Sequence, residues 1–229
     1  MERKIGGMKK IFWILLLGII IFFTAEWTVV GLLATRIGQK NKTTKKINDL
    51  EIISLIKNKT GVEIESIKII PSTKLYGAMI GIPKHPYMMF SDELFRQFNK
   101  QEIEYVAIHE AGHYVLNHTV KELVFFLIIW FVGTKIMEIF KTRKGIFVLI
   151  SGFVLGLLFI QYQKINEYEA DRFAVERVSD LKAMVSATEK FEAQNNNRIN
   201  DQGIIWKIFY RGVPYSERIK MAELGLDRK

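Results

Sequence analysis

The sequence has no cysteine. Disulfides and thiolate metal sites are therefore excluded, and any transition-metal site must draw on histidine and carboxylate. It also shows no internal repeat and no DNA- or RNA-binding motif. The net charge of +9 over 229 residues suits an anionic partner. The Lys and Arg residues mostly flank long apolar blocks, so the partner expected is a lipid bilayer and not nucleic acid.

Three apolar blocks organise the chain, at residues 11–34, 123–140 and 145–162. The first is long enough to cross a bilayer at about 1.5 Å per residue. Arg3, Lys4, Lys9 and Lys10 before it resemble a secretory leader. The block exceeds the usual leader core and no small-residue cleavage site follows, so an uncleaved anchor is expected. Glu26 interrupts it only near its end. The second and third blocks are joined by the basic turn Lys141-Thr142-Arg143-Lys144 and read as a helical hairpin in the membrane. Lys135 and Glu138 are three apart, a spacing that pairs them on one helix face. Gly152 and Gly156 have a spacing that permits close helix contact. The organisation expected is an anchor at 1–37 and a catalytic domain at 38–229, interrupted by the hairpin at about 122–163. Basic residues flank both sides of the first block, so charge does not select the side on which the domain lies.

Between the blocks the periodicity predicts a helix at 49–59 and strands at 61–70, 76–82 and 87–90. Lys84-His85-Pro86 marks a turn, and Ser91 is an N-cap. A helix is predicted from about 100 to 118 and another from 166 to about 190. Asn195-Asn196-Asn197 reads as a loop, and a last helix begins after Pro214.

The chemistry sits in His109-Glu110-Ala111-Gly112-His113. Two histidines four apart lie on one helical face and can grip one metal ion, while the adjacent glutamate can take a proton from an activated water. The small Ala111-Gly112 pair lets another backbone pack closely. A catalytic zinc site uses a third protein ligand. The candidate is Glu167, in Asn166-Glu167-Tyr168-Glu169-Ala170-Asp171, with Glu169 as a lesser alternative. Asp171 shares the face of Glu167 and can accept a hydrogen bond from a ligand histidine's free ring nitrogen. His118 lies about 500° around a continuous helix from His113, off the ligand face, and reads as a surface residue or an outer partner. His85 reads as a loop histidine.

In this order the motifs resemble the HtpX-like and CAAX-prenyl-protease-like membrane zinc metallopeptidases. The resemblance rests on Gly77-Ala78, on Ser91-Asp92-Glu93-Leu94, on Glu102-Ile103-Glu104-Tyr105-Val106-Ala107 leading into the metal motif, on the hairpin before Glu167-Tyr168-Glu169-Ala170-Asp171, and on Pro214-Tyr215-Ser216-Glu217-Arg218-Ile219. It implies a mainly helical α+β zincin with a small sheet, an active-site helix and a membrane hairpin inserted between the two metal motifs. It implies one Zn2+ per chain held by His109, His113 and Glu167, with Glu110 as base and Asp171 behind a ligand histidine. Arg218 is expected to line the cleft or brace the metal region. Gly77, Ala78, Met79 and Ile80 are expected to form an edge strand for an extended protein or peptide substrate, membrane proteins included. The expected location is integral, in a bacterial cell membrane. The chain departs from the family pattern at Val213, where histidine is usual, at Gly77, where asparagine is common, and in having one apolar block before the catalytic region.

Overall fold

The computed structural model describes residues 45–47, 49–80, 85–139, 145–199 and 210–227. The chain divides into two compact units, Met1–Lys45 and Lys46–Lys229. The expected anchor at 11–34 and the basic turn at 141–144 lie outside the described residues. The described elements are β1 (Lys45–Ile47), α1 (Leu50–Thr60), β2 (Ile67–Ile70), β3 (Gly77–Ile80), β4 (Tyr87–Ser91), α2 (Asp92–Gln97), α3 (Lys100–Val115), α4 (His118–Ile139), α5 (Gly145–Arg177), α6 (Leu181–Ile199) and α7 (Tyr215–Leu226). This is the mainly helical α+β architecture expected, with one small mixed sheet.

The sheet order is β1-β2-β4-β3. β2 runs parallel to β4, pairing Ile67 with Met88, and β3 runs antiparallel to β4, pairing Gly77 with Phe90. Met88, Met89 and Phe90 are buried, so β4, with Ile67 of β2, carries most of the sheet's contribution to the core. The strand expected from residue 61 begins only at Ile67. Gly61 instead adopts φ 75° and closes α1 through its N–H to the Lys57 carbonyl, a left-handed cap that glycine reaches without Cβ strain.

Helix α3 is the hub, in contact with α1, β3, α4, α5 and α6. It is buried on nearly every face from Glu102 to Gly112 although it is rich in charge. A buried polar group must find partners, and Glu102 and Glu104 do. Asn99 and Glu102 form a reciprocal capping box at the helix start. The Glu102 carboxylate also accepts from the Ser186 hydroxyl and the Lys190 ammonium, both at 2.6 Å. Glu104 accepts from the Ser179 N–H at 2.9 Å. These bonds tie α3 to α6 and to the turn before it.

Four helix boundaries differ from those expected. α3 stops at Val115, and Asn117 takes φ 56°, a left-handed conformation that asparagine tolerates, before α4 starts at His118. α5 joins the third apolar block and the Glu167 segment into one 33-residue helix. The helix expected at 166–190 is broken after Arg177, and the Asp180 carboxylate accepts from the Lys182 N–H as α6 begins. The loop expected at Asn195-Asn196-Asn197 is helical, as α6 continues to Ile199.

Helices α4 and α5 pack on each other through Phe125 stacked on Tyr162, ring centroids 4.2 Å apart, and Phe126 edge-on to Phe159 at 6.1 Å. Their close approach is at Gly133, where an added Cβ would lie 3.3 Å from Leu155; Gly152 and Gly156 face open space, so their spacing marks no contact here. Lys135 and Glu138 pair at 3.1 Å. Leu123, Leu127 and Phe131 of α4, with Phe153, Val154 and Leu158 of α5, are exposed. Among the described residues no single helix is long and apolar enough to cross a membrane, but α3 and residues His118–Ile136, meeting at a 48° bend, pass together by length and composition.

The Glu102 network makes a stability prediction. Burial opposes ionisation of this carboxyl, but the bonds from Lys190, Ser186 and Asn99 outweigh it and hold the pKa below the ordinary value. The folded state therefore gains from the carboxylate at pH values above the unfolded pKa of about 4.3, and loses that gain as pH falls through the lower folded value. Glu102→Ala is expected to cost about 2 kcal/mol at pH 7, the partial exposure of Lys190 keeping it under the full buried-pair penalty. In urea melts the gap to wild type should narrow below about pH 4.

Candidate active site

The site is assembled by three helices. α3 supplies His109 and His113 one turn apart, α5 supplies Glu167 and Asp171 one turn apart, and α7 supplies Arg218. Gly112 lets α5 come close: a Cβ there would sit 3.1 Å from the Phe173 ring. The close contact at Gly112 is made by the Phe173 side chain, where the Ala111-Gly112 pair suggests another backbone.

His109 Nε2 and His113 Nε2 are 3.2 Å apart. Glu167 reaches them with Oε2 at 3.6 Å from His109 Nε2 and Oε1 at 3.4 Å from His113 Nε2. Ligands bound tetrahedrally at about 2.0–2.1 Å stand roughly 3.4 Å from one another. The two nitrogens and the carboxylate therefore already have the spacing of three corners of a zinc tetrahedron, and among the described residues they form a cluster able to hold a metal ion.

Electrostatics agree with the spacing. Burial opposes charge on His109, but Asp171 and Glu167 outweigh it and push the ring up to about 10. Burial and the neighbouring His109 push His113 down to about 3. Glu167 and Asp171 are held well below the usual carboxylate range despite burial, by the histidines and Arg218. The cluster thus draws one positive charge to the point between the rings, the place a metal cation fills.

Asp171 is fully buried and lies at the centre of a bonding web. Its Oδ2 accepts from Arg218 Nε at 2.7 Å and its Oδ1 from the Tyr105 hydroxyl at 3.1 Å. Oδ1 is also 2.9 Å from His109 Nδ1, close in distance but poorly aligned, so Nδ1 has no true hydrogen bond. Arg218 Nη2 donates to Glu167 Oε2 at 3.2 Å. Of the two roles expected of Arg218, bracing is the one its contacts fit.

Glu110 lies beside the metal-ligand cluster. Burial, reinforced by Glu167, pushes its carboxyl up to about 7, against His109, Arg218 and the Met79 amide, which favour the charged form. The Met79 contact places Glu110 next to β3. At the start of that strand Gly77 sits against α3, where a Cβ would fall 2.8 Å from Val106. Glu169, the lesser ligand candidate, points away and meets His118 and Lys121. His118 is buried and touches His113, because the break at Asn117 re-aims it and invalidates counting around a continuous helix. His85 pairs with Glu65 at 2.5 Å, apart from the cluster.

Two residues near the site were not singled out in the sequence. Tyr105 is four before His109, and that shared face was the available signal. Tyr76, whose hydroxyl is pushed up to about 12 by burial and by the Glu110 charge, had none.

A mainly helical α+β fold thus carries a His/His/Glu cluster able to hold a metal ion. A family model for peptidase family M48 matches residues 50–223, and the chain belongs to that family. A CAAX prenyl protease 1 homolog of Arabidopsis thaliana is 26% identical over 173 residues, covering 66% of this chain and 40% of that protein. The crystal structure of S. mikatae Ste24p has a similar fold, with a TM-score of 0.64 at 16% identity over 92% of this chain and 58% of that one. The chain thus spans 40% to 58% of these relatives' lengths.

Two substitutions test the web. Glu167→Gln is expected to weaken zinc binding by more than the roughly 10–100-fold that loss of an outer partner costs, measured by equilibrium dialysis of the purified chain. Unchanged binding would remove Glu167 from the ligand set. Arg218→Ala strands the Asp171 carboxylate in the interior and is expected to cost about 3–5 kcal/mol, seen as a lowered Tm. Arg218→Lys should recover only part, because an ammonium lacks the planar fork that reaches two carboxylates.

Proposed function

We propose that this chain is a membrane-bound zinc metalloendopeptidase that hydrolyses peptide bonds of protein substrates. The observation that carries the reading is the 3.2–3.6 Å spacing of His109 Nε2, His113 Nε2 and the Glu167 oxygens, with Glu110 beside them. His109, His113 and Glu167 hold the ion. Zinc held there would supply a Lewis acid and a water activated near neutral pH. Glu110 would accept a proton from a water attacking the scissile carbonyl carbon. When the C–N bond breaks, it delivers a proton to the departing amine nitrogen. Arg218 keeps the Glu167 and Asp171 carboxylates ionised and in place.

Substrate binds in extended form along β3. That strand ends the sheet order among the described residues, and Met79 borders Glu110. Main-chain bonding by Gly77, Ala78, Met79 and Ile80 tolerates many side chains and suits an endopeptidase. The exposed apolar side chains of α4 and α5 support insertion of that hairpin in a bilayer, together with the apolar block at 11–34. The name of the Arabidopsis relative points to prenylated peptides as one substrate class; no residue of the site described here selects a lipid tail. A non-catalytic metal-binding role is disfavoured because Glu110, which a pure ligand set does not require, is present.

The test is cleavage of an unfolded protein such as casein by the detergent-solubilised chain. Wild type should need zinc and be silenced by a chelator. Glu110→Gln should lose at least about 100-fold in rate while keeping its zinc. Equal cleavage by the variant would sink the assignment.

A further inference from the structure

His118 is the histidine of this region that the metal set does not use. It is 1% exposed. Its Nδ1 lies 2.9 Å from His113 Nδ1, and the two rings stand at 79° with centroids 4.9 Å apart. Its Nε2 lies 3.1 Å from Glu169 Oε2. Glu169 is half-exposed and is also 3.5 Å from Lys121.

The protons on this chain of contacts can be assigned. His113 turns Nε2 toward His109 and Glu167, so as a ligand it offers the lone pair there, and the neutral ring carries its proton on Nδ1. That N–H must donate to His118 Nδ1, which is therefore bare. The His118 proton then sits on Nε2 and donates to the Glu169 carboxylate. A single arrangement satisfies both contacts, and it leaves no donor facing a donor.

We propose that His118 is a positioning residue for the metal ligand His113, and that Glu169 holds it in the required tautomer. The inference rests on the zinc reading above. The two ligand histidines are then braced by different means. His109 faces the buried Asp171 directly, while His113 reaches a carboxylate through a second imidazole. The carboxylate at the far end of that relay is near the surface and shared with Lys121. An outer partner of this kind fixes ring orientation and raises ligand basicity.

The experiment is the zinc dissociation constant of the full chain in detergent, measured by competition with a chromogenic chelator. His118→Ala is expected to weaken zinc about 10–100-fold. His118→Asn places an amide oxygen near the lost Nδ1 and should bind close to the wild-type value. Glu169→Gln keeps an acceptor without its charge and should fall between the two. A purely structural role would weaken the alanine and asparagine variants alike, so equal losses overturn the proposal, as does wild-type affinity in His118→Ala. If His118→Ala fails to fold, the other two variants decide: wild-type affinity in Glu169→Gln or a large loss in His118→Asn overturns it. Wild type that binds no zinc overturns the zinc reading together with this proposal, whereas unmoved variants overturn the proposal alone.

Discussion

The site depends on keeping two carboxylates ionised where water is largely excluded. Asp171 is fully buried and Glu167 is partly buried. An isolated carboxylate in such a place would neutralise by taking up a proton. Arg218 opposes this at Asp171, 2.7 Å away, and at Glu167, 3.2 Å away, it adds to the stronger effect of His109 and His113. A guanidinium is suited to the task because it stays charged and presents several donors in one plane. Through it α7 is bound to α5, and through Asp171 and Tyr105 both are bound to α3. Charge compensation and helix assembly are one arrangement here.

The same constraint shapes α3. A helix buried on almost every side is ordinarily apolar, yet this one carries Glu102, Glu104, His109 and Glu110 inward or at the site. Glu102 and Glu104 have partners from other elements, and His109 and Glu110 lie at the candidate site. The polar contacts of Glu102 and Glu104 to α6 and the turn before it set where α3 lies. That in turn fixes the point toward which His109 and His113 converge.

Much of this was legible along the chain because the relevant contacts are local. His109 and His113 share a helix face by spacing alone, and so do Glu167 and Asp171. Ser91 caps α2 through the Leu94 N–H, as its residue type predicts. The final helix begins directly after Pro214. The errors lie where a non-local or single-residue event overrides periodicity. Gly61 ends a helix in place of opening a strand. Asn117 breaks a helix whose apolar pattern continues through it, and the loop at Asn195 is helical because polarity alone does not stop a helix. α5 is continuous because nothing between the apolar block and Glu167 interrupts it.

The sequence by itself determined the candidate donor set: two imidazoles, a glutamate between them and a carboxylate pair at helical spacing, with no thiol to compete. These follow from residue type and the 3.6-residue period. Only the tertiary structure decided which carboxylate meets the histidines, since Glu167 and Glu169 differ by two positions and point to different neighbours. It also decided that Arg218 meets Asp171 and that His118 meets His113. Those pairings join residues about 50 positions apart or cross a helix break. Distance and direction between such groups are set by how helices pack, and packing is a property of the whole core, not of any one segment.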